Sequence, residues 1–315
     1  MKKTSIAVLA LAVIFIVSFS GCNGRDYTEY DDVIELPDEP RMLELDEIVI
    51  IRSDDLYYRI DGNEIVDEII LDVAYHVMGI HGAYYFTPGG WTDEFIKEMV
   101  LVTEEGVKFA KDFLGIEVNS PLSFIFNVTE PDENHPLPMM WRGGGVWGTS
   151  TYISMPADLM PTIIVHEAAH AILQYDGRRS NFPYSPETSP EHGVPWLEEG
   201  LCDVVDFLFF MQTERRYRIN FLDNRESAEN HFHRLALDFF RFFNNFEDES
   251  RFGTRYPQLM NTFTSASFIY YLLTYHGSIE DFMRVFDDIY LMEEVYGLSM
   301  YDMIVQWMEY LEQFR

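Results

Sequence analysis

The stretch Thr162-Ile163-Ile164-Val165-His166-Glu167-Ala168-Ala169-His170 decides how this chain is read. Its first four residues are mostly apolar and predict the start of a buried helix. Positions i and i+4 of a helix lie one turn apart on the same face. His166 and His170 have that spacing, so both imidazoles can reach one metal ion. Glu167 falls between them and can face a water on that metal. Two nitrogen ligands and a general base at these offsets form the H-E-x-x-H zinc pattern. A structural helix carrying two His and a Glu would show the same letters. The fixed offsets inside an apolar run favour the metal.

A catalytic zinc needs three protein ligands and one open position. The third is sought in Pro195-Trp196-Leu197-Glu198-Glu199-Gly200-Leu201-Cys202-Asp203. Glu199 begins a segment whose apolar residues, Leu201, Val204, Val205, Leu208 and Phe209, recur at helical spacing. A carboxylate on a second helix packed against the first would complete the set. Asp203 follows Glu199 by one turn. It can accept a hydrogen bond from the far nitrogen of a ligand His and so fix its tautomer.

H-E-x-x-H followed by W-L-x-E-G resembles the gluzincin zinc metallopeptidases, the thermolysin and aminopeptidase-like group also called peptidase MA-like. The resemblance covers about Gly143 to Phe286 and is specific at the two motifs. It implies that Glu199 is the third zinc ligand and that Asp203 supports a zinc histidine. It also implies an α+β, zincin-like fold. A small N-terminal mixed sheet with helices would meet a mostly helical C-terminal half, with the active site between them. The expected cofactor is one Zn2+, and the expected partner is a peptide or protein substrate.

Some features depart from that pattern. The gap from His170 to Glu199 is longer than in compact aminopeptidases, and its insert, Asp176 to Val194, is rich in Pro, Ser and charge. The Gly-x-Met-Glu-Asn signature of true aminopeptidases is absent. The residue that steadies the oxyanion stays open among Tyr256, Tyr270, Tyr271 and His276. Two rivals for the third ligand stand beside Glu199. Asp176 lies six residues after His170, but Leu173 stands where a glycine would have to turn the helix back. Gly177 then reads as a helix stop. Glu198 is one residue out of register with Glu199.

The chain begins with a basic pair, Lys2 and Lys3, and an apolar run from Ile6 to Val17 that is too short to span a bilayer. Ser18-Phe19-Ser20-Gly21-Cys22 follows and resembles a bacterial lipobox, with Phe19 in place of the usual Leu. Residues 1–21 are therefore expected to be a lipoprotein signal peptide, and Cys22 the lipidated first residue. The mature protein is expected outside the cytoplasm, touching the membrane through its lipid. Residues 22–46 are acidic and read as a flexible tether. Cys202 is the one other cysteine and reads as a small buried hydrophobe, which leaves no disulfide. The net charge of −31 argues against nucleic-acid partners and against anionic lipid surfaces. An acidic surface of this kind mainly keeps an exported protein soluble.

The remaining chain is expected to form an N-terminal α+β subdomain, 47–175, ending in the H-E-x-x-H helix, and a helical subdomain, 176–315. Ile48 to Ile51 reads as a strand. Glu64 to Tyr75 leans to helix, on the spacing of Ile65, Val66, Ile69, Ile70 and Val73. Thr92 to Leu114 is an amphipathic helix with Thr92 as N-cap and Gly115 as stop. Leu122 to Val128 is a strand. Val146 to Ser154, with Trp147, Gly148, Thr149 and Ser150 at its centre, is expected to be an edge strand that pairs with an extended substrate. Further helices are expected at His231–Phe246, Ser265–Tyr275, Ile279–Leu291 and Leu298–Phe314.

These residues point to hydrolysis of a peptide bond, with Glu167 as general base. Two alternatives remain: a non-catalytic surface lipoprotein that keeps the fold as a binding module, or a zinc amidase acting on a non-peptide cell-wall amide.

Overall fold

A computed structural model describes residues 47–61, 68–128, 143–147, 150–155, 160–161, 163–178, 195–217, 233, 236 and 262–314. All of them belong to one unit spanning Asp32–Arg315. The expected signal peptide, tether and Cys22 lie outside the described residues.

Six strands form one mixed sheet: β1 (Ile51–Asp61), β2 (Glu68–Met78), β3 (Gly82–Phe86), β4 (Leu122–Val128), β5 (Gly143–Trp147) and β6 (Ser150–Met155). Their order is β1-β2-β3-β4-β6-β5. β3, β4 and β6 are parallel neighbours, and β1, β2 and β5 join antiparallel. Helix α1 (Asp93–Leu114) makes the crossover from β3 to the parallel β4. The fold class is thus α+β, with helices filling the rest of the described chain.

Two strand expectations need correction. The first strand begins at Ile51, where pairing with His76 starts, and runs on to Asp61. Ile48, ahead of it, is buried in the core. The expected helix at Glu64 to Tyr75 is the strand β2 from Glu68 onward; residues 64–67 lie outside the described residues. The spacing misled because four is an even number. Ile69, Val73 and Val77 stand at i, i+4 and i+8, which suits a helical stripe and one face of a strand alike. β-branched side chains favour the strand, and β2 is paired along both edges, by β1 and β3.

The β1–β2 hairpin bends over the sheet. β1 and β6 are separated by three strands, or about 19 Å at the usual spacing. Yet the Tyr58 hydroxyl lies 2.7 Å from Ser150 Oγ, and the Tyr58 ring lies 4.6 Å from that of Tyr85. The irregular register between Arg52 and Leu56 supplies the bend. At the other end of the hairpin the buried Glu104 of α1 holds the β2–β3 turn. Its carboxylate accepts the main-chain N–H groups of Ile80, His81 and Gly82 and the Tyr84 hydroxyl. Four donors offset the cost of burying this carboxylate.

α1 keeps its expected ends. The Thr92 side chain accepts from Phe95 N–H at 3.2 Å, and Gly115 stops the helix at φ 65°. Met99, Val102, Phe109 and Phe113 are buried along its inner face. Two helices pack behind the sheet, α2 (Ile164–Tyr175) and α3 (Pro195–Tyr217). α2 lies between α1 and α3 and against β5 and β6. Glycines permit two of these approaches. A Cβ on Gly106 of α1 would lie 2.6 Å from Val165 Cγ2 of α2. A Cβ on Gly200 of α3 would lie 2.7 Å from the main chain of Ser265, in the next helix, α4 (Thr262–Tyr275). The chain then forms α5 (Ile279–Asp287), α6 (Met292–Tyr296) and α7 (Met300–Leu311), with 3-10 turns at Ile289–Leu291 and Glu312–Phe314. Ser278 caps α5 with a capping box to Asp281. These agree with the expected C-terminal helices. Most of the expected helix at His231–Phe246 lies outside the described residues. The boundary expected at 175/176 separates two layers of one unit.

Candidate metal centre

α2 presents His166, Glu167 and His170 toward α3. The helix forms because an apolar run, Ile164, Val165, Ala168, Ala169, Ala171, Ile172 and Leu173, is wholly buried on its other sides. It stops at Gly177, whose φ is 74°. α3 answers with Glu198, Glu199 and Asp203. Leu197, Leu201, Val204, Val205, Leu208 and Phe209 anchor it in the core.

The two imidazoles and the Glu199 carboxylate converge. His166 Nε2 and His170 Nε2 are 3.1 Å apart. Glu199 Oε2 lies 3.5 Å from His166 Nε2, and Oε1 lies 3.6 Å from His170 Nε2. A tetrahedral zinc with ligands at about 2.0–2.1 Å holds its ligand atoms about 3.3–3.5 Å apart. Each Nε2 faces its own Glu199 oxygen, at 3.5 and 3.6 Å, and the two nitrogens are 3.1 Å apart, spacings close to those around such an ion. Among the described residues these three form the group able to hold a metal.

Both far nitrogens are held by carboxylates of α3. His166 Nδ1 is 2.7 Å from Asp203 Oδ1, as expected from the sequence. His170 Nδ1 is 2.8 Å from Glu198 Oε1. Glu198 is therefore the partner of the second histidine rather than a rival ligand. Its side chain is 7% exposed against 35% for Glu199, so it lies behind the rings while Glu199 faces the opening. Each Nδ1 donates to a carboxylate, which leaves the Nε2 atoms to face Glu199.

Charge follows from this geometry. Burial pulls both imidazoles down, but their partners outweigh it. Asp203 and Glu199 hold His166 well above the ordinary histidine value, and Cys202, Glu198 and Glu199 do so for His170. Burial works to raise Glu199, yet its contacts with the two rings hold it far below the usual carboxylate range. Burial raises Glu167, with the two imidazoles pulling against it. A carboxyl shifted upward in this way suits a group that must take and return a proton. Cys202 is fully buried against His170, and burial pushes its thiol up. Asp206, a residue the sequence reading passed over, meets His166 from one turn beyond Asp203; burial holds its carboxyl well above the usual range.

The other candidates have contacts of their own. Asp176 ends α2 and pairs with Arg178 at 2.8 Å. Tyr271 packs on Tyr275, His276 and Tyr310, and Tyr270 packs on Phe207 and His233. Tyr256 lies outside the described residues.

The expected edge strand Val146–Ser154 is instead a hairpin. β6 is flanked by β4 and β5, so its main chain is already paired, and among the described residues the sheet ends on that side at β5. Trp147 ends β5. Ser150 opens β6 and is bonded to Tyr58. Gly148 and Thr149 lie outside the described residues. Strand-forming residues on both sides of Gly148 hid the break, although that glycine was itself a turn signal. No protein-family model matches the chain, and no curated protein matches it either.

Proposed function

We propose that this chain is a zinc-dependent peptidase of the gluzincin kind, with a zincin-like arrangement of sheet and helices. One observation carries the reading. Two Nε2 atoms and a carboxylate stand at the spacing of a tetrahedral ion, and each imidazole is oriented from behind by its own carboxylate. His166, His170 and Glu199 would hold the ion. A Zn2+ there would supply a water of pKa about 7 and would polarise the scissile carbonyl. Glu167 takes the proton of the attacking water and passes it to the leaving amine. Asp203 and Glu198 keep both rings in the tautomer that leaves Nε2 free. The antiparallel β5 edge, lying against α2, offers main-chain groups to an extended substrate. The buried base, retained beside both ligands, favours an enzyme over a binding module. The lipobox-like segment ending at Cys22 supports export and lipid anchoring at the membrane, with the enzyme facing outside the cytoplasm.

Glu167→Gln tests the reading. The substitution should leave zinc content unchanged and lower hydrolysis of a peptide library by roughly 10²–10⁴-fold. A chelator should abolish the wild-type activity, and added zinc should restore it. Hydrolysis retained by Glu167→Gln would remove the residue from the chemistry. A library left intact while a cell-wall amide is cleaved would favour the amidase.

A further inference from the structure

Seven large apolar side chains stand exposed among the described residues, and four of them gather at one end of the sheet: Val49, Ile51, Met78 and Ile80. Ile51 pairs with His76, and the same register sets Val49 opposite Met78, so these three side chains share one face. Their chain neighbours Ile48 and Val77 turn into the core. Ile80 follows in the β2–β3 turn, which Glu104 holds in place. Each of the four is 45–68% exposed. Single exposed apolar residues are ordinary, whereas a cluster marks a contact surface.

Ile80 also walls a cavity of about 90 Å³ between that turn and the end of α1. His81, Lys111, Asn119 and Ser120 bring polar groups to it, and no carboxylate among the described residues lines it. That lining is unlike the rest of a chain with 53 acidic and 22 basic residues. The backbone around it is fixed. His81 donates its N–H to Glu104 and accepts from the Leu122 N–H at 3.0 Å. Lys111 lies in the last turn of α1, and its ammonium meets the Val118 carbonyl at a long 3.5 Å. Burial lowers the His81 pKa, so Lys111 supplies the positive charge and the imidazole a neutral donor. The volume is that of about three waters, which suits one small oxyanion such as a phosphate group.

We propose that this end of the sheet docks on the bilayer, with a phospholipid phosphate in the Lys111 pocket and Val49, Ile51, Met78 and Ile80 among the headgroups. This rests on the lipid-anchoring reading above. Residues 23–46 separate Cys22 from the described fold, a reach of at most about 80 Å. The patch lies where that segment joins the fold. A lipid on Cys22 therefore keeps it at high effective concentration beside the membrane, and a weak contact suffices. The net charge of −31 repels anionic surfaces. Zwitterionic headgroups, in which an amine balances the phosphate, are thus the ones selected. Docking fixes which face of the protein is turned to the membrane.

The test uses the lipid-anchored full chain on phosphatidylcholine vesicles. Cys202 is buried, so a cysteine introduced at the surface takes an environment-sensitive dye selectively. A dye on Met78→Cys should shift to the blue and be quenched by spin-labelled lipid. A dye on Val305→Cys, exposed on α7, should do neither. Lys111→Gln should lower the quenching at position 78 about fivefold, the effect of one lysine at a lipid surface. Ile80→Ser should lower it too, and both variants should stay with the vesicles through their lipid. Anchored protein without quenching at 78, or with equal quenching at 305, overturns the docking alone. Quenching unchanged by Lys111→Gln overturns the phosphate pocket. A blue shift at 78 that grows with protein concentration in the absence of vesicles overturns the docking in favour of a second copy. Protein that carries no lipid on Cys22 overturns the anchoring reading and the docking with it.

Discussion

Glu198 and Asp203 carry no ligand atom, yet the geometry makes them the residues on which imidazole orientation depends. Each removes the rotational freedom of one ring through a bond of 2.7–2.8 Å. Glu198→Gln and Asp203→Asn keep the shape and remove the charge, so each should weaken zinc binding by roughly 10–100-fold, read by competition with a chromogenic chelator. An affinity unchanged in both variants would contradict the role given to them. Much of this centre is legible as letters, because helix geometry turns a spacing of four into a shared face. His166 and His170 follow from that rule, and Asp203 stands one turn after Glu199, while Glu199 itself was chosen by the resemblance carried by the W-L-x-E-G motif. Glu198 does not follow, because its partner is a ring nitrogen on another helix. Which helix packs opposite, and at what height, is not written in local spacing.

The helices hold their places through close approaches that need glycine. Gly200 directly follows Glu199, and a Cβ placed on it would lie 2.7 Å from the main chain of Ser265. Gly200→Ala should therefore push α4 from α3, cost about 1–3 kcal/mol of stability, and displace Glu199 with it. Thermal melts with and without zinc check this. A melting temperature equal to wild type would show that the helices part without cost. At the level of elements, strong helices are legible from their caps and stripes, as at Thr92, Gly115 and Ser278. β2 is not, because an i, i+4 pattern of β-branched residues satisfies both periods. The hairpin at β5 and β6 is hidden for a related reason. Strand-forming residues flank Gly148 on both sides, and pairing partners decide where the strand breaks.

The fold as a whole carries a second buried histidine, outside the candidate metal centre. His233 is fully buried, lies 2.7 Å from Ser267 Oγ, and is packed by Tyr270, Tyr310 and Phe314. Ser267 is also joined to Trp307 Nε1, at 3.2 Å, so this contact ties residue 233 to α4 and α7. Burial lowers the His233 pKa from 6.5 to about 4. The unfolded chain therefore binds a proton that the folded one refuses. Stability from this group is complete above about pH 6.5 and falls as pH drops toward 4, by about 3 kcal/mol in all. Denaturant melts of wild type and His233→Phe across that window should converge as the pH falls. Parallel curves would show that the imidazole does not titrate there.

The proposed activity requires one ion held between α2 and α3. The most direct measurement is an anomalous difference map recorded at the zinc edge from crystals of the intact, zinc-loaded chain. A single strong peak about 2.0–2.2 Å from His166 Nε2, His170 Nε2 and a Glu199 carboxylate oxygen is the expected result. A peak held by other residues, or none at that place, would contradict it.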